Sequence, residues 1–480
     1  MKRKSTQTNL PTQLNSTNAT KHHLDGDMLL TKSMEMPAIA LDKTIVASEK
    51  LAKSLPSNGM GKKAKDYWYT LGPGLTTGAS DDDPSGIATY SQTGAQYGFS
   101  FLWLAPLTFP LMGFVQEMCA RIGMVTGQGL AANIRTHYSR RLLRFVTVLL
   151  FAANTFNIGA DLGALAKATQ LLYPQVGFGL LVWFFALFSL GLQIFSPYAK
   201  YARYLKWLAL VLLSYVASAL LAHLNWGQVL HGTVVPKLHF DRNALLLICG
   251  ILGTTISPYL FFWQTSQEVE EDVSRGRTTI RERQSATSPN EIKRMRIDVW
   301  SGMLLSNVAM FFIIAACGGV LYAHGITNIT SADQAAEALR PFAGNATYLL
   351  FAVGIIGVGL LGIPVLAGSS SYAIAESLKW KSGLYRNLHQ AHAFYGVIII
   401  SLLIGVGLNF IGLNPIKALI YSAIANGIVA PFVLFFIVRL SANHRVMGHW
   451  ANRRLTTFVG WATTLVMAIA GAAAIWSMFA

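Results

Sequence analysis

Charge is what this chain has least of. Asp, Glu, Lys and Arg make up 12% of its 480 residues, while hydrophobic residues make up 53%; a soluble domain carries about 25% charged residues. A chain so poor in charge takes lipid as its solvent. Acid is scarcer than base, with 22 Asp and Glu against 38 Lys and Arg and a net charge of +16. In a soluble protein that excess would suggest nucleic acid. Here the basic residues are confined to the N-terminal segment and to particular connections, a pattern that sets topology and meets anionic lipid headgroups. The three cysteines, Cys119, Cys249 and Cys317, each lie in an apolar run, so free thiols are expected and a disulfide framework is excluded. No phosphate-binding loop, nucleophile constellation or His/Cys cluster at metal-enzyme spacing is found, so enzymatic function has no support and no cofactor is expected.

Residues 1–66 are rich in Lys, Ser, Thr and Asn and contain no apolar run long enough for a signal-peptide core. They read as a basic, disordered cytoplasmic tail. Beyond them the sequence presents eleven candidate spans of the length needed to cross the hydrocarbon core, near 69–95, 99–121, 144–172, 177–196, 204–224, 243–268, 297–322, 346–376, 394–413, 416–438 and 456–479. Lys and Arg accumulate in every second connection, from the Arg135 to Arg144 group to the Arg439 to Arg454 group. By the positive-inside rule these connections and the N-terminus are cytoplasmic, and eleven spans place the C-terminus outside.

Two of the spans are interrupted. Asp81-Asp82-Asp83-Pro84-Ser85-Gly86 breaks the first, and Gly253-Thr254-Thr255-Ile256-Ser257-Pro258 divides the sixth. A carboxylate at the bilayer centre costs about 2.5 to 3.5 kcal/mol on the mildest scale, so it faces a cavity, an ion or a partner. Proline and glycine also leave carbonyls without their helical donors. The pairing of a carboxylate with freed carbonyls reads as a cation site. A matched pair of broken helices five spans apart points to an inverted-repeat transporter with its site at the midplane. The plainer reading of either proline alone is a tolerated kink.

These residues resemble the natural resistance-associated macrophage protein (NRAMP) family of divalent metal transporters over nearly everything after residue 67. The likeness rests on Gly72-Pro73, Asp83-Pro84-Ser85-Gly86, Ala88-Thr89 and Gly94-Ala95 in the first span. It continues through Gln116, Ala120-Arg121, Gly123, Thr126-Gly127 and Leu130, and through Gly302-Met303, Ser306-Asn307 and Met310 to Ile314. The resemblance implies an all-α membrane protein with a LeuT-like fold. It would have 11 transmembrane helices, an inverted 5+5 repeat with helices 1 and 6 broken, a first repeat at 67–224, a second at 243–438 and an extra helix at 456–479.

In the family, the metal is held by a first-helix Asp and Asn, a sixth-helix Met and backbone carbonyls. Carried onto this chain, the Asp is Asp83, the Asn falls on Gly86 and the Met falls on Ser257. The resemblance thus implies Asp83 as the charged ligand, with Ser80, Thr254 and Ser257 offering carbonyl or hydroxyl oxygens. Loss of the thioether favours a hard ion, magnesium or manganese, and loss of the Asn side chain enlarges the site for an ion that keeps its waters. The family's proton-coupling His residues are Tyr259 and Gln264 here, and of its third-helix acids Asp161 is kept while the second is Ala164. Neither Tyr259 nor Gln264 titrates near neutrality. These losses resemble the NRAMP-related magnesium transporters, regarded as moving hydrated magnesium without proton coupling; Asp161 leaves a proton-coupled alternative open.

Ser257, Phe261, Gln264, Glu268 and Glu271 share one face of a helix and could form an acidic exit lane. The plainer reading pairs Glu268, Glu270, Glu271 and Asp272 with the Arg cluster that follows. Glu117 is expected to pair with Arg121 at i, i+4, and Glu376 with Lys379. Asp82 reads as a position behind the ion, Asp81 as part of a vestibule, and Asn154, Asn157 and Asn426 as oxygens for an aqueous cavity or as interhelical hydrogen bonds. The leading function is import of a divalent cation across the cell membrane. An organic-solute carrier on the same fold and a transport-dead signalling protein are the less favoured classes. No nucleic acid is expected as a partner, and the oligomeric state is left open.

Overall fold

The structure, a computed structural model, describes residues 59–329, 332–412 and 415–479. The expected tail lies outside the described residues as far as residue 58. Its end does not, because helix α1, Gly59–Thr70, already covers residues 59–66. That helix is amphipathic, and Lys206 closes its C-terminal end by donating to Trp68 O and, at 2.7 Å, to Leu71 O. A cation there complements the exposed carbonyls of the helix end.

The first interrupted span is two helices, α2, Pro73–Asp81, and α3, Pro84–Tyr97. Then come α4, Leu104–Thr126, the short α5, Leu130–His137, α6, Arg140–Leu172, and α7, Phe178–Phe195. A span formed by α8, Tyr198–Leu208, and α9, Leu213–Leu221, leads to α10, Trp226–Val234. The second interrupted span is α11, Arg242–Thr255, and α12, Pro258–Ser274. After α13, Ile280–Ala286, come α14, Pro289–Val320, and α15, Ala332–Ser377. Gly344, at φ 86°, separates the apolar part of α15 from its lead-in. The chain closes with α16, His392–Leu408, α17, Pro415–Ser441, α18, His444–Met447, and α19, Arg454–Phe479. No strand occurs among the described residues.

Eight helices among the described residues are long and apolar enough to cross a membrane. They match eight of the expected spans. The other three fall on the divided α2 and α3, on α4, which carries Gln116, Glu117 and Arg121, and on the shorter apolar α16. Pro84 and Pro258 each occupy the first turn of the second half-helix, where the missing N–H has no partner to lose. Sequence chemistry therefore places both breaks.

The half-helices pack crosswise, α2 against α12 and α3 against α11. Helices α6, α15 and α17 close one side, and α14 lies along α2 and α3 on the other. The approach of α14 to α2 is backbone against backbone. A Cβ built on Gly74 would lie 2.5 Å from Val299 N, and one on Gly302 would strike the Gly74 carbonyl. At the start of α2, Asp298 of α14 accepts from the N–H groups of Gly72 and Gly74, both at 2.7 Å, and of Leu75 at 3.0 Å. A carboxylate from a neighbouring helix thus supplies the cap that Gly72 cannot.

Candidate functional site

Asp83 is the N-cap of α3. Its Oδ1 accepts from Gly86 N at 2.9 Å and from the Ser85 hydroxyl at 2.5 Å, which satisfies donors that the break would otherwise orphan. Its Oδ2 accepts from Asn157 Nδ2 of α6 at 2.7 Å and lies 3.4 Å from the Tyr259 hydroxyl of α12. Tyr259 in turn donates to Ser80 O at 2.8 Å. Asn157 is itself fixed, because its Oδ1 accepts from the Ser422 hydroxyl of α17 at 2.5 Å. An amide must turn its N–H toward a carboxylate, so its carbonyl faces Ser422. Four helices thereby converge on one buried carboxylate.

Asp161 lies one turn beyond Asn157 on the same face of α6. A Cβ placed on Gly362 of α15 would be 3.0 Å from Asp83 Cβ and 4.0 Å from Asp161 Oδ2. A side chain there would press on Asp83, which would have to give by a few tenths of an ångström, and would touch Asp161. Both oxygens of Asp161 are buried without a hydrogen-bond partner. Asn426, a turn after Ser422 on α17, is likewise buried with neither side-chain atom partnered.

The remaining expected ligands need correction. The Ser80 hydroxyl turns back to Thr76 O at 2.7 Å, leaving only its carbonyl toward the break. The Ser257 hydroxyl is directed at the carbonyls of Gly253 and Thr254, at 2.8 and 2.5 Å, because the end of α11 lacks helical donors for them. The Thr254 hydroxyl pairs with that of Tyr90 at 3.0 Å. Gly86 contributes an N–H to Asp83, and a Cβ there would lie 3.4 Å from both Asp81 O and the Tyr90 ring, so these groups, and not open space, stand where a side chain would begin. Asp82 does not stand behind Asp83. It is buried with neither carboxyl oxygen hydrogen-bonded, while Asp81 Oδ2 accepts from Ser306 of α14 at 2.9 Å. Asp81 is thus held from α14 and Asp83 from α6. Among the described residues no three His, Cys, Asp or Glu side chains are arranged to hold a metal ion together, so any ion here is held by carboxylate plus neutral oxygens.

Below the break, Gln264 Nε2 donates to Glu268 Oε1 at 2.8 Å. Glu268 and Glu271 then line a polar cavity of about 400 Å³ with Asp66, Asp272, Glu291 and Asp298, and with Arg275 and Arg294. Both readings of this face have substance, since Glu271 also pairs with Arg275 at 3.1 Å and Asp272 with Arg277 at 2.7 Å. Glu270 belongs to neither. It is buried and accepts from the Tyr372 hydroxyl and from the N–H groups of Leu384 and Tyr385. Glu117 takes Arg296 at 2.9 Å and Trp300 Nε1 at 2.9 Å as its main partners, with Arg121 at 3.8 Å. Glu376 does not pair with Lys379; it reaches Ala132 N and the Ser266 hydroxyl, both at 3.2 Å, against the start of α5. A Cβ on Gly129 would strike its carboxylate.

Sequence reasoning missed Tyr90, Ser306, Ser422 and Gly362, which carry no chemistry of their own outside the fold. Asn157, which the sequence offers as a cavity oxygen or an interhelical hydrogen bond, is a partner of Asp83, and its i, i+4 spacing to Asp161 is the signal for that. Asn154 follows its plainer reading and bonds Ser370 Oγ at 3.0 Å and Leu366 O at 3.3 Å on α15.

Residues 74–477 match the model of the family described as natural resistance-associated macrophage protein-like. The divalent metal cation transporter MntH of Klebsiella pneumoniae subsp. pneumoniae is 25% identical over 424 residues, covering 87% of this chain and 96% of that protein. The protein of the same name from Verminephrobacter eiseniae is 27% identical, covering 80% of this chain and 83% of its own length. Among solved structures, the Eremococcus coleocola manganese transporter in complex with an aromatic bis-isothiourea substituted compound superposes with a TM-score of 0.66 at 19% identity, covering 87% of each chain. Mhp1, a nucleobase-cation-symport-1 family transporter, superposes with a TM-score of 0.51 at 16% identity, covering 85% of this chain and 91% of its own. The fold is that of the LeuT-like transporters.

Proposed function

Because the chain belongs to the natural resistance-associated macrophage protein-like family, we propose that it imports a hard divalent cation, magnesium or manganese, across the cell membrane. Asp83 is the charged ligand. The observation that carries this reading is the surround of Asp83: a carboxylate at the meeting of two helix breaks, flanked by the Asn157 amide, the Tyr259 hydroxyl and the Ser80 carbonyl. The groups there that can offer a lone pair to an ion are oxygens, of the Asp83 carboxylate, the Ser80 carbonyl and the Tyr259 hydroxyl, and neither thioether nor imidazole is among them. Such a donor set suits magnesium or manganese. The relatives named for divalent metal cation and manganese transport support the cation as cargo.

In this reading a partly hydrated ion enters from outside, exchanges some waters for Asp83 and the carbonyls of the breaks, and leaves past Gln264 and Glu268 into the acidic cavity. The membrane potential contributes about 4.6 kcal/mol per divalent ion per 100 mV, twice the single-charge value, so coupling to protons is not required for accumulation. Eleven spans would place the N-terminus and the Arg-rich connections in the cytoplasm and the C-terminus outside, with anionic headgroups against the basic face.

A second reading, a proton-coupled manganese symporter, is favoured by one observation: Asp161 and Asp83 flank the same glycine, Gly362. Uptake into proteoliposomes, magnesium against manganese, with an internal pH dye separates the two. Flux of both ions without acidification supports the uncoupled carrier. Flux of manganese alone with acidification supports the symporter, and uptake that survives Asp83→Ala refutes both.

A further inference from the structure

Helices α6, α17 and α19 leave an open apolar groove of about 450 Å³ between them, lined by none of the groups around Asp83. Leu142 of α6 and Phe432 and Phe435 of α17 border it and are exposed. On α19 a Cβ at Gly471 would already lie 3.4 Å from Ile428 Cα, so the helix sits close against α17 there. The small side chains of Ala468 and Ala472 beside it leave the trough. One end of this groove is basic. Arg439 follows Phe435 by one turn on α17, and its guanidinium stands 5.9 Å from the Phe435 ring, which also meets Trp461 of α19 at 5.7 Å. Arg454, Trp461, Ala468 and Ile475 recur at a spacing of seven, so Arg454 opens the face of α19 that lines the groove. Arg141 stands one turn before Phe145 on α6, whose ring meets Phe432 at 6.4 Å. No acid accompanies these arginines, since 139–160 and 377–480 contain neither Asp nor Glu.

We infer that this groove holds an anionic phospholipid, with an acyl chain lying along it and the headgroup at the basic end. The charge at that end decides the occupant. A second copy of the chain would share this one's orientation in the membrane, so a two-fold contact through the groove would set the two basic ends against each other. An uncharged lipid would fill the groove and leave the arginines without an anion. An anionic lipid meets both demands, and the planar guanidinium fork suits its phosphate. Trp461 beside Arg439 and Phe435 is the kind of residue that anchors at the membrane–water boundary, which places the basic end at headgroup depth. The same two helices carry Asn157 of α6 and Ser422 of α17, joined at 2.5 Å, so the lipid braces the pair that positions Asp83. The inference rests on the chain spanning a bilayer, not on which ion it carries.

The test gives the full chain, stripped of lipid in detergent, an equal mixture of phosphatidylglycerol and phosphatidylcholine, and counts the lipids it retains by native mass spectrometry. Wild type is expected to retain phosphatidylglycerol in preference. Arg439→Gln and Arg454→Gln should each weaken that retention about fivefold, the weight of one Arg against an anionic surface, and leave phosphatidylcholine unchanged. Arg281→Gln removes the same charge from α13, outside the groove, and should change neither. Ala468→Phe, at an exposed position, fills the groove and should displace the tightest-bound phosphatidylglycerol with every arginine in place. Glycerol phosphate, a headgroup without chains, should not compete. Equal retention of the two lipids, equal losses in Arg281→Gln and Arg439→Gln, or wild-type retention in Ala468→Phe overturns the site. Competition by glycerol phosphate overturns it too, since the chains would then contribute nothing. A wild-type dimer that Ala468→Phe splits into monomers also overturns it, by making a second copy the occupant.

Discussion

Asn157→Ala removes the shortest hydrogen bond that the Asp83 carboxylate receives from a neighbouring helix. Its amide gives Asp83 Oδ2 a 2.7 Å hydrogen bond and receives one of 2.5 Å from Ser422. A hydrogen bond to a charged group contributes about 1.5 to 3 kcal/mol. Removing a partner that orients a metal ligand typically costs 10- to 100-fold in affinity, or about 1.4 to 2.8 kcal/mol. The two estimates agree. Manganese titration of the purified variant should therefore show a Kd raised at least about tenfold, with the apparent KM for uptake rising in step. Ser422→Ala acts only through the amide and should cost less, about 0.5 to 1.5 kcal/mol. Once Asn157 is gone the Ser422 hydroxyl has nothing left to orient, so the double variant should be no worse than Asn157→Ala alone. Binding within twofold of wild type in Asn157→Ala would refute the positioning role. Tighter binding would refute it as well, since it would mean that the amide competes with the ion for Oδ2. Strict additivity in the double variant would break the claimed chain from Ser422 to Asp83.

Ser257→Met introduces a soft sulfur at the second break, so cadmium should become a stronger competitor of manganese uptake while magnesium uptake falls, measured by competition in proteoliposomes. Gly302→Ala puts a methyl into the backbone of α2 at Gly74 and Leu75; overpacking of this kind costs about 1 to 3 kcal/mol and should appear as a lowered Tm in detergent.

The sequence made the two breaks legible because Pro84 and Pro258 can start a helix but not continue one, and because three acids in an apolar run demand a polar surround. The separate facing of Asp81 and Asp83 comes from the break itself, since Asp81 ends α2 while Asp83 is extended at the N-cap of α3. What surrounds them was not legible. Ser306, Ser422 and Gly362 are small residues in apolar helices, and nothing in their type says that they face an acid across a helix interface. The acids near the cytoplasmic ends failed for a related reason. Glu376 and Glu270 have basic neighbours in sequence, and local pairing is the natural expectation; the fold instead brings them backbone N–H groups at Ala132, Leu384 and Tyr385. Buried N–H groups at a helix start or a tight turn outcompete a flexible surface Lys, whose exposed pairing gains little.

Tyr259 brings a hydrogen-bond donor to the second break, and where that donor goes suggests how the breaks are coupled. Tyr259, at the start of α12, bonds Ser80 O near the end of α2, while Tyr90 of α3 meets Thr254 near the end of α11. Each broken helix thus gives one half to each of two cross-bonded pairs, α2 with α12 and α3 with α11, and Asp83 stands where the pairs meet. Because α12 and the start of α2 border the acidic cavity, loosening their pair should open the cavity while loosening the other should not. Maleimide labelling of a cysteine placed at Met295 in the cavity wall reads this directly, as the three native cysteines are buried. Tyr259→Phe is expected to raise the labelling rate several-fold, since one buried hydrogen bond contributes about 0.5 to 1.5 kcal/mol. Tyr90→Phe should leave the rate near that of wild type. Equal rates in both variants would mean that the four half-helices move as one body and that the breaks serve only to expose ligands.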